Sequence, residues 1–299
     1  MKIAIAGGSG FVGKHLTMKL VAEGHQVVIL TRNKPHTQHK DITYVEWLTE
    51  QAEPEKALTD ITAFINLAGE NLNSGRWTKA KKQDILQSRI DATKEITRII
   101  TKMETKPKIL INASAIGYYG TSEESTFTEQ TDKSGNDFLA NVVKTWEQAA
   151  NDVPDSVRVV FARFGMILDK DEGALNKMLL PYKLFIGGPL GSGKQWLSWI
   201  HIDDLVNAIH FCLMQGEISG PVNMTASEPL RMNDFGKTLG SVLNKPHWAP
   251  VPAFLLKIVL GEMSILVVEG QRVLPDKLQE HGFTFQYPNL KPALINILR

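Results

Sequence analysis

The sequence predicts an α/β protein built on a Rossmann-type, doubly wound parallel sheet with a smaller, mostly helical lobe. Five short apolar segments alternate with helical patterns in the first half of the chain, at 3–6, 27–30, 63–67, 109–111 and 157–161. Two long patterns between the last of these segments, at 78–103 and 136–151, have apolar residues three and four positions apart. Near-continuous apolar strands separated by helices indicate a parallel sheet that is covered on both faces.

The regular alternation of strands and helices ends near residue 165. We expect 1–165 to form a dinucleotide-binding domain, with parts of 198–228 completing its sheet. Six prolines interrupt the helical patterns after residue 229. Residues 166–197 and 229–299 are therefore predicted to form a substrate-side lobe at the carboxyl edge of the sheet.

Composition and charge exclude several classes of partner. The chain has 33 Lys and Arg against 32 Asp and Glu, a formal net charge of +1. This balance predicts that the protein binds neither nucleic acid nor a membrane. The single cysteine, Cys212, lies in an apolar run and is predicted to be a buried thiol, with no disulfide and no metal site. Only four apolar residues separate Lys2 from Gly7, too few for a secretion signal, so we expect a cytoplasmic protein.

A glycine-rich turn follows the first predicted strand directly. Glycines at 7, 10 and 13 stand between that strand and a helix that begins near Val12. A tight turn, a close backbone approach to pyrophosphate and close packing of helix on strand all favour residues without a side chain. The turn therefore predicts a dinucleotide site formed by Gly7, Ser9, Gly10, Phe11, Val12 and Gly13.

The end of the second strand carries Arg32 where a protein specific for a free ribose 2′-hydroxyl would have an acidic residue. A guanidinium at this position suits a 2′-phosphate. Thr31 and Arg32 therefore predict NADP rather than NAD, the alternative being a solvated arginine at a strand end.

Two other strand ends are predicted to reach the same edge of the sheet. The strand at 63–67 runs into a turn of small residues, so that Leu67, Ala68 and Gly69 are candidates to lie against the dinucleotide. Arg163 ends the strand that begins at residue 157 and is a further candidate to bind the cofactor in the cleft.

Residues 188–195 reproduce most of a P-loop but lack the Ser or Thr that would hold magnesium. The segment after them, 196–200, has the pattern of a strand rather than a helix, so we predict a substrate-facing loop without a nucleoside triphosphate.

A helix is predicted over 203–214 with Asp203 as its N-cap, which makes His201 a structural residue.

Five segments of the chain resemble the extended short-chain dehydrogenase/reductase superfamily, and most closely its atypical branch called the epimerase family. These proteins are nucleoside-diphosphate-sugar epimerase-like and have a short carboxyl-terminal domain. The matching segments are 7–13; 66–71 with 75–77; 114–120; 187–196 with 199–204; and 260–263 with 269–275. The resemblance implies an NADP-binding fold with a substrate cleft between the sheet and the carboxyl-terminal lobe.

One feature of the superfamily is missing from this sequence. In active members a Tyr-x-x-x-Lys pair, on the helix after the serine-bearing strand, moves the proton during hydride transfer. If Lys144 is the lysine, Ala140 stands at the tyrosine position; the register set by Glu147 instead puts Leu139 and Val143 at the two sites. Neither register supplies the tyrosine. Lys144 remains a candidate contact for the cofactor ribose, the alternative being a solvated helix face.

Four residues remain candidates for catalysis. Ser114 matches the serine that, by the resemblance, hydrogen-bonds a substrate oxygen. Tyr118 or Tyr119 could supply a phenol from the following loop, the alternative being aromatic packing over the cleft. Glu70 could act as an acid or base, cap a helix or pair with Arg76.

Two functions follow from these features. The first is an NADP-binding epimerase or oxidoreductase that acts by hydride transfer on a small polar substrate such as a nucleotide-sugar. The second, favoured by the missing tyrosine, is a catalytically silent NADP-binding sensor or regulator with a protein partner, for example in cell division.

Overall fold

A seven-stranded parallel sheet forms the centre of the computed structural model, which describes residues 1–34 and 40–299. The strands in chain order are β1 (Lys2–Ala6), β2 (Gln26–Thr31), β3 (Ile42–Glu46), β4 (Ala63–Asn66), β5 (Ile109–Ala115), β6 (Thr126–Phe127), β7 (Arg158–Phe164), β8 (Met166–Leu168), β9 (Trp196–Leu197), β10 (Trp199–His201), β11 (Gly220–Met224), β12 (Leu230–Arg231) and β13 (Arg272–Val273). The helices are α1 (Phe11–Ala22), α2 (Pro54–Ala57), α3 (Lys79–Lys102), α4 (Phe138–Gln148), α5 (Ala174–Lys183), α6 (Ile202–Met214), α7 (Met232–Leu243), α8 (Ala253–Leu260), α9 (Ile265–Val268), α10 (Asp276–Glu280) and α11 (Leu290–Leu298).

The order of strands in the sheet is β11-β7-β5-β4-β1-β2-β3, and every pair is parallel. The chain builds outward from β1 through β2 to β3, then returns to β4 on the other side of β1. The crevice between β1 and β4, at their carboxyl ends, is therefore the switch point at which such sheets bind ligands. This arrangement confirms the predicted doubly wound fold.

The strand β3 was absent from the sequence prediction. It pairs with β2 at the edge of the sheet, and Val45 is its one buried residue. A half-exposed edge strand has no continuous apolar run, which is the signal that identified the central strands.

Each face of the sheet packs on its own helices. Alternate residues of β1 point to opposite faces: Ile3 and Ile5 join a core with α1 and α6, whereas Ala4 and Ala6 join a core with α3. Cys212 of α6 is buried in the first of these cores, as predicted, and burial raises its pKa to about 12.

The start of α6 differs from the prediction. The helix begins at Ile202, and its N-cap is His201, whose ring Nδ1 accepts a hydrogen bond from the Asp203 backbone N–H at 3.1 Å. The prediction that Asp203 is the N-cap is therefore wrong: strand β10 ends at His201, and Asp203 falls in the first turn, where its charge complements the helix dipole. Burial lowers the pKa of His201, which favours the neutral ring that can accept this bond.

The carboxyl-terminal lobe is mostly helical, as predicted. Two small strand pairs, β8 with β10 and β9 with β12, accompany its helices, and β13 pairs with β6 of the first 165 residues. Its core includes Trp199, Phe235 and Leu294, which are fully buried. Trp196 and Leu197 form a strand after the P-loop-like segment, which confirms that no P-loop helix follows it. Within the two described ranges, no helix is long and apolar enough to cross a membrane.

Candidate dinucleotide and substrate site

The glycine turn after β1 depends on its missing side chains. Gly7 has a φ of +77°, and a Cβ there would lie 2.8 Å from the carbonyl carbon and oxygen of Leu67. A Cβ on Gly13 would lie 2.1 Å from the Gly7 oxygen and 2.6 Å from the Cα of Gly8. The absence of a side chain at Gly7 thus allows the glycine turn to contact the turn after β4. The absence of a side chain at Gly13 allows α1 to pack closely on the glycine turn itself.

The amino terminus of α1 is open at the switch point. Gly10 is its N-cap, no side chain of residues 1–34 or 40–299 caps the helix, and its first turn contains no acidic residue. The Leu67 backbone N–H donates to the Ala6 oxygen at 2.8 Å, which places the turn after β4 beside this helix end. Free N–H groups and the positive end of a helix dipole bind phosphate, so the arrangement fits a dinucleotide pyrophosphate.

The structure brings most of the predicted cofactor residues to this edge of the sheet. Ser9 and Gly10 are exposed in the turn, with Phe11 and Val12 at the start of α1 and Ala68 and Gly69 after β4. Arg32 is exposed just after β2, the strand next to β1. The Thr31 hydroxyl donates to the Asn33 oxygen at 2.9 Å, which holds the turn that carries Arg32.

A buried ion pair lies at the neighbouring strand ends. The Ser114 hydroxyl donates to Glu147 Oε1 at 2.6 Å, and Arg163 donates from Nε and Nη2 to the two Glu147 oxygens, both at 2.8 Å. Burial alone would lower the pKa of Arg163, but the hydrogen bonds and charge of Glu147 outweigh burial and raise it. Nη1 of Arg163 is buried and has no hydrogen-bond partner within the described chain. The predicted cleft residue Arg163 is therefore held by Glu147.

The two tyrosines of the loop after β5 have different surroundings. The centroid of the Tyr118 ring lies 3.6 Å from the Arg163 guanidinium carbon, and the Tyr118 hydroxyl donates to the Asp132 backbone oxygen at 3.0 Å. Tyr119 is buried, and its hydroxyl donates to Asn223 Oδ1 at 2.8 Å. Burial raises the pKa of Tyr119. Of the two phenols, that of Tyr118 is the more accessible to a substrate.

Glu70 pairs with a lysine of α3. Its carboxylate contacts Lys81 Nζ and accepts the Ser74 hydroxyl at 3.0 Å, and the Lys81 hydrogen bond lowers the pKa of Glu70. The alternative partner Arg76 donates instead to the backbone oxygens of Ile258 and Val259, so the predicted pairing of Glu70 with Arg76 is wrong. An ionised carboxylate held in this way is a poor proton donor.

The structure distinguishes between the two registers of α4. A Cβ on Gly117, in the loop after Ser114, would lie 3.5 Å from Leu139 Cβ and 3.9 Å from Val143 Cγ2. The face that carries Leu139, Val143 and Glu147 therefore meets the serine loop, which favours the register set by Glu147. Lys144 is exposed on α4.

In the sequence, Glu147 indicates only a register of α4, and its place in the site is not predicted. A lone acidic residue on the packed face of an otherwise apolar helix was the available signal. Reasoning from the sequence also missed the polar contact from the carboxyl-terminal lobe: Gln271 Nε2 donates to the Ile116 oxygen at 3.1 Å, which joins that lobe to the serine loop.

The sheet order and the glycine turn together define a Rossmann-type dinucleotide-binding protein. Residues 3–138 match the model of the NAD dependent epimerase/dehydratase family, and residues 251–297 match a domain of unknown function, DUF1731. The Bacillus subtilis epimerase family protein YfhF is 50% identical over 100% of this chain and 98% of its own length. The chain therefore belongs to the epimerase family.

Solved structures agree with this assignment. The human epimerase family protein SDR39U1, crystallised with NADPH, is 33% identical, with a TM-score of 0.90 over 99% of both chains. The UDP-glucuronic acid 4-epimerase of Bacillus cereus, in complex with NAD, is 16% identical, with a TM-score of 0.78 over 99% of this chain and 94% of its own. The second likeness shows the fold alone.

Proposed function

We propose that the chain is an NADPH-dependent oxidoreductase or epimerase that works by hydride transfer on a small polar substrate in the cytoplasm. The observation that carries the proposal is the glycine turn packed on Leu67, with the uncapped end of α1 at the switch point. A solved relative with NADPH, 33% identical over 99% of both chains, supports the choice of cofactor. The exposed Arg32 beside this turn is the residue that would bind the 2′-phosphate.

When bound, NADPH supplies the hydride. Ser114 orients the substrate by accepting a hydrogen bond at its hydroxyl oxygen, because its own proton is donated to Glu147, which Arg163 holds at the end of β5. Tyr118 donates the proton, since the one described hydrogen-bond partner of its phenol is the Asp132 backbone oxygen, which a substrate oxygen can replace. Glu70 is ionised by Lys81, and the Tyr119 hydroxyl is bound to Asn223.

A pair of arginines in the carboxyl-terminal lobe supports a phosphorylated substrate such as a nucleotide-sugar. The guanidinium carbons of Arg231 and Arg272 lie 3.9 and 5.2 Å from the Trp196 ring centroid. Neither guanidinium forms an ion pair with a carboxylate of the described residues, and Nε of Arg272 is buried without a hydrogen-bond partner there. Unneutralised guanidiniums suit a diphosphate.

One observation favours the second function, a catalytically silent NADP-binding sensor. Leu139 and Val143 face the serine loop where active superfamily members, by the resemblance, carry tyrosine and lysine. An apolar side chain at each position removes the usual proton-transfer pair while leaving the cofactor turn intact.

The experiment is a titration of the purified chain with NADPH and, separately, NADH, followed by fluorescence and thermal melting. We expect binding with NADPH preferred, and then oxidation of NADPH when nucleotide-sugars with a carbonyl group are added. Binding without oxidation by any substrate in the screen would favour the sensor. A failure to bind either nucleotide would overturn both functions.

A further inference from the structure

The carboxyl-terminal lobe exposes a row of large apolar side chains after α5. Leu184, Phe185 and Ile186 are 59%, 56% and 50% exposed. Trp248 is 66% exposed, and its indole Nε1 donates to the Phe185 backbone oxygen at 2.9 Å. The hydrogen bond fixes the indole against the row, so that the four side chains form one surface.

The helix α8 continues this surface. Phe254, Leu255, Ile258 and Val259 are 61%, 43%, 67% and 65% exposed, and no residue of α8 is buried. Their spacing of one and four residues places them on one face of the helix. The segment that leads into the helix is held next to the row, because the backbone N–H of Trp248 donates to the Gly187 oxygen at 2.8 Å. Residues 184–186, Trp248 and this face of α8 are hereafter the exposed apolar surface.

Within the two segments that contain the exposed apolar surface, the charged side chains are all lysines. Residues 183–187 and 245–261, which contain it, have three lysines and no Asp or Glu, in a chain with 32 acidic residues in 299. Lys245 Nζ lies 3.6 Å from the Phe185 ring centroid, and Lys257 is exposed on α8. The acid that follows α8, Glu262, is in contact with Lys82.

We propose that the exposed apolar surface binds the interface of an anionic lipid bilayer. Apolar side chains on one face enter the boundary between headgroups and acyl chains, and lysines beside them meet anionic headgroups. A tryptophan with an apolar ring and one N–H donor suits the same depth. The prediction of no membrane partner rests on the net charge of the whole chain, +1. A net charge over 299 residues does not show a local excess of lysines on one surface. Binding at a surface requires no membrane-spanning helix.

The charge pattern argues against a second copy of the chain as the occupant. A two-fold dimer brings the same surface of two protomers together. Lys245 and Lys257 of one protomer would then face the same residues of its partner, with no acidic residue in either segment to compensate. An anionic bilayer supplies the opposite charge over the whole area.

The experiment is co-sedimentation of the full chain with vesicles of phosphatidylcholine alone and of phosphatidylcholine with an equal part of phosphatidylglycerol. We expect binding to the anionic vesicles only, and weaker binding when salt rises from about 0.1 to about 1 M, which shortens the Debye length from about 10 to about 3 Å. The double substitution Phe254→Ser and Ile258→Ser should lower the partition coefficient about tenfold or more, since two large apolar side chains no longer enter the interface. Lys257→Gln should lower it about fivefold.

Two matched control variants change residues that are distant in sequence from the exposed apolar surface. Met18→Ser removes an apolar side chain that is 60% exposed on α1, and Lys94→Gln removes an exposed lysine of α3; neither should change binding. Thermal melting and the NADPH titration of each variant show that it is folded, and they test the cofactor site separately. The proposal is wrong if the chain ignores the anionic vesicles, or if the controls lose binding equally. It is also wrong if light scattering shows a dimer that Phe254→Ser with Ile258→Ser dissociates, because a second copy would then cover the surface.

Discussion

The Ser114 hydroxyl and the Glu147 carboxylate lie 2.6 Å apart, at the junction of the central sheet and α4. Glu147 is also the bidentate partner of Arg163, and the side chains of Arg163 and Glu147 are only 4% and 11% exposed. Three elements of the chain, β5, α4 and β7, are therefore tied together by one carboxylate. The same contact fixes the hydroxyl that we assign to substrate orientation.

Replacing Glu147 tests the importance of this buried pair for stability. Glu147→Gln leaves the Arg163 charge buried without its counter-ion, which should cost about 3–5 kcal/mol of unfolding free energy. Denaturant titration of wild type and variant measures the loss. Glu172→Gln is the control, because its pair with Lys14 is exposed and 3.6 Å long and should contribute less than about 1 kcal/mol. Equal and small losses in both variants would contradict the assigned role of Glu147.

The parts of the molecule that could be predicted from the sequence are those with local signals. The glycine turn and the central strands each have their pattern within a few neighbouring residues, and for this reason the fold class could be predicted correctly. The cluster of Ser114, Glu147 and Arg163 has no such pattern, because Glu147 is 33 residues from the serine and 16 from the arginine along the chain. These side chains meet only when α4 packs on the sheet.

The exposed face of α8 also lay outside what the sequence could predict. Apolar residues are usually inside a protein, and nothing in the sequence of 253–260 shows that this run lies exposed. Whether a neighbouring element covers such a face depends on the packing of the whole lobe. In this structure the lobe core forms from α5, α7 and α11, and none of the α8 residues is buried.

A methyl group at Gly13 should disrupt the cofactor turn. Gly13→Ala places a Cβ 2.1 Å from the Gly7 oxygen, so α1 must move away from β1, at a cost of about 1–3 kcal/mol. The displaced helix end should also bind NADPH more weakly, which the fluorescence titration measures. Gly216→Ala is the control, since a Cβ at that position meets nothing within 4 Å. If NADPH affinity is the same in both variants, the turn is not the pyrophosphate site.

The charge at the end of β2 should set the choice between the two nucleotides. Arg32→Asp removes a donor to the 2′-phosphate and introduces repulsion, while it offers an acceptor to a free 2′-hydroxyl. The ratio of NADPH to NADH affinity should fall at least about tenfold, because a charge-assisted contact contributes about 1.5–3 kcal/mol. Lys94→Asp makes the same change of charge on α3 and should leave the ratio unchanged. An unaltered ratio in Arg32→Asp would rule out the 2′-phosphate assignment.

The two neighbouring tyrosines should respond differently to removal of their hydroxyls. Tyr118→Phe should lower turnover by roughly 10²–10⁴-fold, the usual contribution of a positioned proton donor, with NADPH affinity and melting temperature unchanged. Tyr119→Phe leaves Asn223 Oδ1 without its partner in a buried site and should lower stability by about 1–3 kcal/mol. Steady-state kinetics and thermal melting of both variants separate the two roles. Loss of turnover in Tyr119→Phe alone would reverse the assignment.

Acid should weaken the packing of α2 on α3 through a single carboxylate. Arg98 donates to both oxygens of Glu55 at 2.9 Å, and these hydrogen bonds lower the pKa of Glu55 from 4.5 to about 2. The unfolded chain therefore takes up this proton first, so the stabilisation is fully present above pH 4.5 and is lost as the pH falls toward 2. Melting temperatures of wild type and Glu55→Gln, compared at about pH 6 and about pH 3, should differ more at the higher pH. Glu53→Gln, which removes an exposed pair with Lys56, should track the wild type across the same interval. A difference between wild type and Glu55→Gln that does not change with pH would show that the contact with Arg98 contributes through packing rather than through charge.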